Sequence, residues 1–428
     1  MIPFPLPLDA IFLKIGVYLI FLGIGFLFGF VLETSGFNNS PLLAAQFYFK
    51  DLRVFKVFFT AIVVAMLLIF AASAIGLLDY NLIWVNPTYL WSGIVGGLIM
   101  GVGFILGGFC PGTSLVALAT FKVDGIFFVL GGLFGVFLFG ETVDQFTYFF
   151  NGSYFGRLTL MDVFNLPTGV IVILVTLMAI FMLWGGEQLE RIFGGKDPKK
   201  APKARYAGAA IFVVLAITIA FIGQPTTERR MARVFPNQYK FDSVESIKPE
   251  DMTATELRLR ERKVYIHPGE LLEVFHDHKL NLVILDVRSE ADYNLFHLLE
   301  AENVTIEEIS ARIDEYIALP ANTLFVLMSN DESAATQAWK MMVAESVPNA
   351  YILEGGINNW LDTFATEFEG EYCDGGIEAG DDELRYTFTA ALGSGCPAAY
   401  PDAEHYELEF EKKIEMELKR APSGGGCG

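Results

Sequence analysis

Residues 89–121 read YLWSGIVGGLIMGVGFILGGFCPGTSLVALATF. The part up to residue 108 carries no charge and has about the 20 residues that a helix needs to cross a bilayer. The run Cys110-Pro111-Gly112 then interrupts the helix, because proline removes a backbone donor and glycine is conformationally loose. Such a break at membrane depth is tolerated where it is packed in protein or lines a polar cavity. The stretch therefore predicts a membrane protein with one thiol at a broken helix.

Composition divides the chain into an apolar half and an acidic half. The 428 residues are 53% hydrophobic, with a mean hydropathy of +0.43 and a net charge of −20. Residues 1–185 are close to neutral and residues 186–225 are basic, so residues 226–428 carry essentially all of the negative charge. This split predicts a membrane half followed by a soluble half. The acidity argues against nucleic acid as a partner.

Six apolar segments have lengths near that of a membrane-spanning helix. They lie at about 10–32, 54–78, 89–108, 124–140, 167–185 and 206–224. The loop 186–205 between the last two is the most basic and is predicted to be cytoplasmic. With six spans, both termini then lie outside, and the soluble half is expected in the periplasm.

Residues around the break have the chemistry of a small anion site. The thiol of Cys110 is either a small buried apolar group or a weak S–H donor to a soft anion. The backbone N–H groups that open the next helical piece suit the oxygens of such an anion. We list as candidate substrate-binding residues Gly108, Cys110, Pro111, Gly112, Thr113 and Ser114, with Glu33 from the end of the first span as a further candidate. No metal or other cofactor is predicted.

Two stretches of the membrane half resemble the YeeE/YedE family of thiosulfate transporters. They read GFVLETSGF at 29–37 and GGFCPGTSLVALATFKVDGIFFVLGG at 107–132. The resemblance implies a multi-pass protein of the bacterial inner membrane that transports thiosulfate or a related sulfur anion. In that family, membrane cysteines pass the ion by hydrogen bonds from S–H to sulfur. Only Cys110 corresponds to such a cysteine here. Better-known members have two such repeats and several membrane cysteines. The single unit here therefore leads to the hypothesis of a homodimer.

The soluble half has the pattern of an α/β domain. Short apolar runs at 282–285, 324–328 and 351–353 suit buried parallel strands, with helical stretches between them. Residues 286–288 (Asp-Val-Arg), His297 and the run from Leu353 to Trp360 resemble the rhodanese domain, which in its active members carries sulfur on a cysteine. The corresponding loop is here Ser329, Asn330, Asp331, Glu332 and Ser333, without a cysteine. Because a serine hydroxyl is hardly ionised at neutral pH, we expect no sulfurtransferase activity.

The C-terminal segment holds the other three cysteines. A disulfide between Cys373 and Cys396 is compatible with a periplasmic location, although spacing alone does not establish it. Apolar residues on even positions from 406 to 418 favour a strand. The last residues, Gly-Gly-Gly-Cys-Gly at 424–428, resemble the tail of the SoxY sulfur carrier, so Cys427 is a sulfur-carrier candidate; a frayed tail is the alternative. Eight flexible residues would reach about 15 Å.

These patterns predict a polytopic α-helical membrane domain, an α/β rhodanese-like domain and a small C-terminal segment of β structure. The boundaries are 1–225 for a transporter domain broken at 109–113, 226–264 for a linker, 265–367 for the rhodanese-like domain and 368–428 for the extension. The leading hypothesis is transport of thiosulfate or a related ion, with the bilayer and a sulfur-carrier protein as partners. The alternatives are a membrane-anchored sulfur carrier or sulfurtransferase holding a persulfide on Cys427, and a non-transporting sulfur sensor or docking protein.

Overall fold

The computed structural model divides the chain into two compact units that meet in sequence at Pro225 and Thr226. It describes residues 4, 6, 8–83, 85–195, 204–237, 248–277, 279–320, 322–406 and 408–416. The tail with Cys427, and His278, lie outside the described residues.

The membrane unit consists of helices. They are α1 Leu8–Ile11, α2 Lys14–Thr34, α3 Ser40–Ala44, α4 Arg53–Ala74, α5 Leu90–Gly107, α6 Pro111–Ala119, α7 Val123–Thr142, α8 Thr147–Phe150, α9 Leu160–Phe164, α10 Thr168–Phe193 and α11 Ala204–Ile222. Six candidate membrane spans lie among the described residues, as predicted: α2, α4, α5 with α6, α7 with α8, α10, and α11. Their outer faces are apolar and exposed, as lipid-facing surfaces are.

Two buried clusters hold these helices together. Helices α4, α10 and α11 pack around Val63, Val172 and Ile219. Helices α2, α6 and the segment between α2 and α4 pack around Leu43, Phe109 and neighbouring apolar residues. The second cluster surrounds the interruption between α5 and α6, and it therefore positions the candidate site.

The soluble unit contains a five-stranded parallel sheet in the order β1-β5-β4-β2-β3. Its strands are β1 Tyr265–Ile266, β2 Asn281–Asp286, β3 Ala301–Asn303, β4 Thr323–Met328 and β5 Ala350–Leu353. Its helices are α12 Thr227–Val234, α13 Ala254–Arg260, α14 Pro268–Phe275, α15 Glu290–Leu295, α16 Ile306–Ala311, α17 Ile313–Ala318, α18 Ser333–Ala344 and α19 Gly356–Phe364. Strand β4 is buried along its whole length, as a central strand covered on both faces should be. The predicted α/β architecture is confirmed, with its three predicted strands at β2, β4 and β5.

The segment 226–264, expected to be a linker, contains the helices α12 and α13. Phe235 at the end of α12 is buried in the core beside Trp339, with ring centroids 6.0 Å apart. Arg230 of α12 pairs with Glu345 at 3.2 Å. Helices thus occupy described parts of this segment, and α12 packs against α18, while the boundaries of the linker stay a prediction.

The C-terminal extension is mostly irregular. Its described part contains one short ladder, β6 Cys373–Asp374 with β7 Thr387–Phe388. The strand predicted for 406–418 does not form in the described residues up to 416. That segment instead lies along the domain, where the backbone N–H groups of Lys413 and Ile414 both donate to one carboxylate oxygen of Glu270 at 2.8 Å. The alternation of apolar residues in this segment therefore reflects its docking on the domain and not a strand in a sheet.

Candidate functional site

The interruption between α5 and α6 is built on a glycine. Helix α5 ends at Gly107, and Gly108 turns the chain in the left-handed region with φ +71°. A Cβ atom on Gly108 would lie 2.9 Å from Cβ and 3.0 Å from the carbonyl oxygen of Ser40. Only glycine meets both demands without strain. The close approach fixes the break against the segment that joins α2 to α4.

Cys110 is the N-cap residue of α6. Its Sγ accepts the backbone N–H of Thr113 at 3.4 Å, and its own N–H donates to Thr113 Oγ1 at 3.0 Å. This reciprocal pair is a capping box with sulfur in the place of the usual hydroxyl oxygen. Cys110 as a whole residue is half-buried. The chain thus holds a thiol rigidly at the N-terminal end of a helix.

The hydroxyl groups of Thr113 and Ser114, which were expected to bind the anion, instead donate hydrogen bonds to backbone carbonyl oxygens at the start of α6. Thr113 and Ser114 are buried, and Ser114 Oγ donates to the carbonyl oxygen of Pro111 at 2.8 Å. The N–H of Gly112 lies in the first turn of α6, where backbone donors have no intrahelical acceptor. The structure therefore brings together Cys110 and one open backbone donor, while Thr113 and Ser114 support the cap.

The thiol lies inside the span but near one end of it. The adjacent Phe109 is fully buried, and its ring centroid is 5.8 Å from that of Phe128. Phe128 comes five residues after the start of α7 at Val123, which corresponds to about 8 Å along the helix. The break therefore lies beside the first turns of α7.

The carboxylates of Asp124 and Glu33 lie at the same end of the helices as the break between α5 and α6. Asp124 accepts a hydrogen bond from Ser40 Oγ at 2.7 Å, and Ser40 contacts Gly108. Glu33 accepts from Asn38 Nδ2 at 2.5 Å and remains exposed. Glu33 was predicted from the sequence as a candidate, whereas Ser40 and Asp124 were not. The alternation of polar and small residues after α2 gave no signal that this loop folds against the break.

The same end carries most of the basic residues of the membrane unit. Lys56 at the start of α4 forms an ion pair with Glu190 near the end of α10, and the N–H of Leu52 donates to Glu190 Oε1 at 2.7 Å. Arg205 at the start of α11 pairs with Glu187 at 2.5 Å. The thiol and these cations therefore lie toward a common end of the helices.

In the soluble unit, the loop 329–333 connects β4 to α18 and faces an acidic surface. Ser329 is 1% exposed, and its Oγ accepts the N–H of Ala335 at 3.3 Å. A cavity of about 470 Å³ beside the loop is lined by Tyr265, Asp331, Glu332, Ser333, Thr336, Gln337, Lys340, Gly355 and Asp381. Burial lowers the pKa of Lys340, the one cation of that lining. The electrostatics of the cavity disfavour an anion.

Asp382 of the C-terminal extension fixes the loop 329–333 by hydrogen bonds. Its two carboxylate oxygens accept the backbone N–H groups of Asp331 and Ala334, at 2.8 and 2.7 Å. Asn330 Nδ2 donates to the carbonyl oxygen of Asp382 at 3.0 Å. A carboxylate thus already occupies the N–H groups at the start of α18, where an anion would otherwise bind. Asp382 was not predicted from the sequence because it lies about 50 residues from the loop.

The thiols of Cys373 and Cys396 are buried in one core cluster and both are reduced in the structure. Burial raises the pKa of Cys373 to about 11, with a further contribution from the neighbouring Cys396. Burial also raises the pKa of Cys396. The two residues are neighbours, and the disulfide stays a prediction. The described residues contain no group of three His, Cys, Asp or Glu side chains suited to a metal ion.

Comparison with known proteins agrees with this division. Residues 35–236 match the family described as sulphur transport, and residues 267–363 match the rhodanese-like domain. A relative named thiosulfate transporter TsuA, from Spirochaeta thermophila, is 25% identical over 224 residues. The match covers 48% of this chain and 63% of the relative, so the chain spans less than two thirds of that protein's length. The chain therefore joins a domain of the YeeE/YedE sulphur-transport type to a rhodanese-like domain.

Proposed function

We propose that the chain transports thiosulfate or a related sulfur anion across a bacterial inner membrane, and that the ion passes Cys110. The observation that supports this most directly is the thiol of the half-buried Cys110 at the N-terminal end of α6, held by a capping box inside a membrane span. A relative named as a thiosulfate transporter is 25% identical to this chain over 224 residues. A thiol in that position has a chemical reason to discriminate sulfur-rich ions from other anions.

The thiol and the N-terminus of α6 bind different atoms of the ion in this proposal. The S–H group donates a weak hydrogen bond to the terminal sulfur of thiosulfate, while the Gly112 N–H and the positive end of the α6 dipole stabilise its oxygens. No covalent bond forms or breaks. Binding of this strength is suited to passage, because the ion must leave the site as readily as it enters.

Several glycines of the membrane unit suggest how a single helix break could form a complete path. Gly93, Gly97 and Gly101 lie on α5 at four-residue spacing, and a Cβ atom on any of them would meet nothing within 4 Å in this chain. Small residues at this spacing allow helices to approach closely. We propose that a second copy packs there, so that a homodimer supplies two breaks.

We assign the soluble half a binding and delivery role in the periplasm, without sulfurtransferase activity. The loop 329–333 has no cysteine, Ser329 is buried and hydrogen-bonded, and Asp382 occupies the loop amides. Cys427, outside the described residues, is the thiol that could exchange sulfur with a carrier protein. The observation that keeps a sulfur-carrier function open is this thiol at the tip of a glycine-rich tail.

Uptake of radiolabelled thiosulfate into proteoliposomes tests the transport proposal. The wild-type chain should accumulate label, and Cys110→Ala should reduce accumulation to the level of protein-free liposomes. Cys373→Ala is a control for the general loss of a thiol and should leave transport measurable. Unchanged uptake by Cys110→Ala would overturn the role of the thiol, and no uptake by the wild type would favour the sensor or docking function.

Intact-mass analysis after incubation with thiosulfate addresses the carrier function separately. An added mass that disappears in Cys427→Ser would support a persulfide or thiosulfonate on the tail. The absence of any adduct under reducing and oxidising conditions would count against it, and it would leave the transport result unaffected.

A further inference from the structure

The helix that carries the Cys110 thiol is held by close backbone contacts at two places. Just before α6 begins, a Cβ atom on Gly108 would lie 2.9 Å from Cβ and 3.0 Å from the carbonyl oxygen of Ser40. Near the end of α6, a Cβ atom on Gly125 of α7 would lie 2.5 Å from Cβ of Ala117. Glycine permits such close approaches between neighbouring segments. The position of α6 therefore depends on α3, where Ser40 lies, and on the first turn of α7.

A hydrogen bond joins the two segments that hold α6. Ser40 Oγ donates to Asp124 Oδ2 at 2.7 Å, across 84 residues of sequence. The other carboxylate oxygen, Oδ1, accepts the N–H of Gly125 at 3.1 Å. Asp124 thus ties Ser40 to the turn of α7 that packs against α6. The contacts form a closed ring from Ser40 to Gly108, along α6 to Ala117, across to Gly125 and Asp124, and back to Ser40.

The hydroxyl of Ser40 donates outside its own helix. Ser40 is the first residue of α3, and the N-cap residue Asn39 makes no side-chain cap hydrogen bond. A serine at a helix N-terminus commonly accepts a backbone N–H of the same helix. Here the hydroxyl donates to a carboxylate of another helix. This indicates that the hydroxyl stabilises the packing of α3 against α7.

Asp124 has a simpler role as well, but that role does not explain its contacts. A carboxylate in the first turn of α7 stabilises the helix through the helix dipole. A side chain pointing away from α3 would provide the same stabilisation. A negative charge also does not attract an anion, so an effect of Asp124 on anion transport must come from position. The hydrogen bond links Asp124 to the break through one intervening residue, Ser40.

We propose that Asp124 is a positioning residue for the Cys110 thiol and that it acts through Ser40. The hydrogen bond between them holds the left-handed turn at Gly108 against α3, and this fixes the direction in which α6 presents its N-terminal thiol. This role rests on the proposed function, in which the ion passes Cys110. It assigns a part in recognition to two residues outside the candidate binding residues.

The alkylation rate of Cys110 tests this role without any transport measurement. The full chain carrying Cys427→Ser is treated in detergent micelles with excess N-ethylmaleimide, and the peptide containing Cys110 is quantified by mass spectrometry. We expect Ser40→Ala and Asp124→Ala each to raise the rate on the order of fivefold, the effect of one net hydrogen bond. Asp124→Asn keeps an acceptor for the Ser40 hydroxyl and should stay near the starting rate.

A matched variant separates positioning from a general loss of stability. Asp162→Ala, in α9, removes a carboxylate that accepts the hydroxyl of Thr159 at the same distance of 2.7 Å. It should lower the melting temperature as Asp124→Ala does, but it should leave the alkylation of Cys110 unchanged. The double variant Ser40→Ala with Asp124→Ala should react at the rate of either single variant, because both remove the same bond.

Three results would overturn the role of Asp124. They are equal alkylation rates in all these proteins, additive effects in the double variant, and an effect of Asp162→Ala as large as that of Asp124→Ala.

Uptake into proteoliposomes distinguishes this role from the proposed function. Asp124→Ala should raise the KM for thiosulfate on the order of fivefold, with a smaller change in the maximal rate, because a displaced thiol recognises the ion less well. Faster alkylation with an unchanged KM would overturn the part of Asp124 in recognition. Faster alkylation in Asp124→Ala together with no uptake by the wild type would refute transport, while the thiol would still be positioned by Asp124.

Discussion

At the scale of single residues, the capping role of Cys110 can be separated from its role as a thiol. Serine is a strong N-cap residue and its hydroxyl accepts the same N–H, so Cys110→Ser should preserve or increase the melting temperature. Cys110→Ala removes the acceptor and should cost about 1 kcal/mol of stability. Both variants lack the soft S–H donor, and we expect both to lose thiosulfate uptake in proteoliposomes.

A different outcome would assign the sulfur a purely structural role. If Cys110→Ser transported thiosulfate at the wild-type rate while Cys110→Ala did not, the helix cap alone would explain the defect. Thermal unfolding of each variant in the same detergent is the control for folding.

The buried pair Cys373 and Cys396 predicts a particular dependence on pH. Both thiols have raised pKa values in the fold, about 11 for Cys373 against an ordinary value near 9. The folded state therefore holds more protons than the unfolded state between these values, and stability should fall as the pH rises from 9 toward 11. Denaturant unfolding at pH 8, 9 and 10 measures this, with Cys373→Ala as the variant in which the effect weakens.

Iodoacetamide provides a second readout of the same pair. At pH 8 neither thiol should be alkylated in the folded protein, and both should be alkylated after denaturation. Thiols that resist alkylation even in denaturant until a reductant is added would show that the pair forms the disulfide predicted from the sequence.

At the scale of elements, the helix break depends on Gly108. Gly108→Ala forces a Cβ atom to within 2.9 Å of Ser40 Cβ and places a side chain in a left-handed conformation. We expect destabilisation of at least about 1 kcal/mol, because both effects oppose folding. Gly103→Ala, within α5 five residues earlier, is the control, since a Cβ atom there meets nothing within 4 Å.

The two substitutions should differ in function as well as in stability. Gly108→Ala shifts the segment around Cys110 and should lower uptake, whereas Gly103→Ala should leave it near the wild-type value. Equal melting temperatures and equal uptake for both variants would contradict the close approach between Gly108 and Ser40.

The loop 329–333 is the second element that can be tested, through Asp382. Charge-assisted hydrogen bonds contribute more than neutral ones, about 1.5–3 kcal/mol each. Asp382→Ala removes both acceptors and should increase amide hydrogen exchange at Asp331 and Ala334. Asp381→Ala, at an exposed neighbouring position, is the control and should leave the exchange of these two amides unchanged. Unaltered exchange in Asp382→Ala would show that the loop is held by other contacts.

At the scale of the whole molecule, the sequence predicted what depends on local pattern and missed what depends on distant contacts. Six apolar stretches and three buried strands follow from hydropathy and periodicity, and the structure contains them. Ser40 and Asp382 were missed because their partners lie 84 and 48 to 51 residues away, beyond any local signal. The segment near 410 was misassigned because docking on Glu270 produces the same alternation as a strand.

The arrangement of charge in the whole chain leads to the prediction on topology. Lys56, Arg191 and Arg205 lie at the end of the helices where α4 and α11 begin and α10 ends, and basic residues favour the cytoplasmic side. Six spans then leave Thr226 and the residues after it outside. Trypsin added to intact spheroplasts should therefore cleave the soluble half, while inverted membrane vesicles should protect it. A cytoplasmic protein serves as the control for leakage. Protection in spheroplasts with cleavage in inverted vesicles would reverse the orientation and would place the rhodanese-like domain on the receiving side of an imported ion.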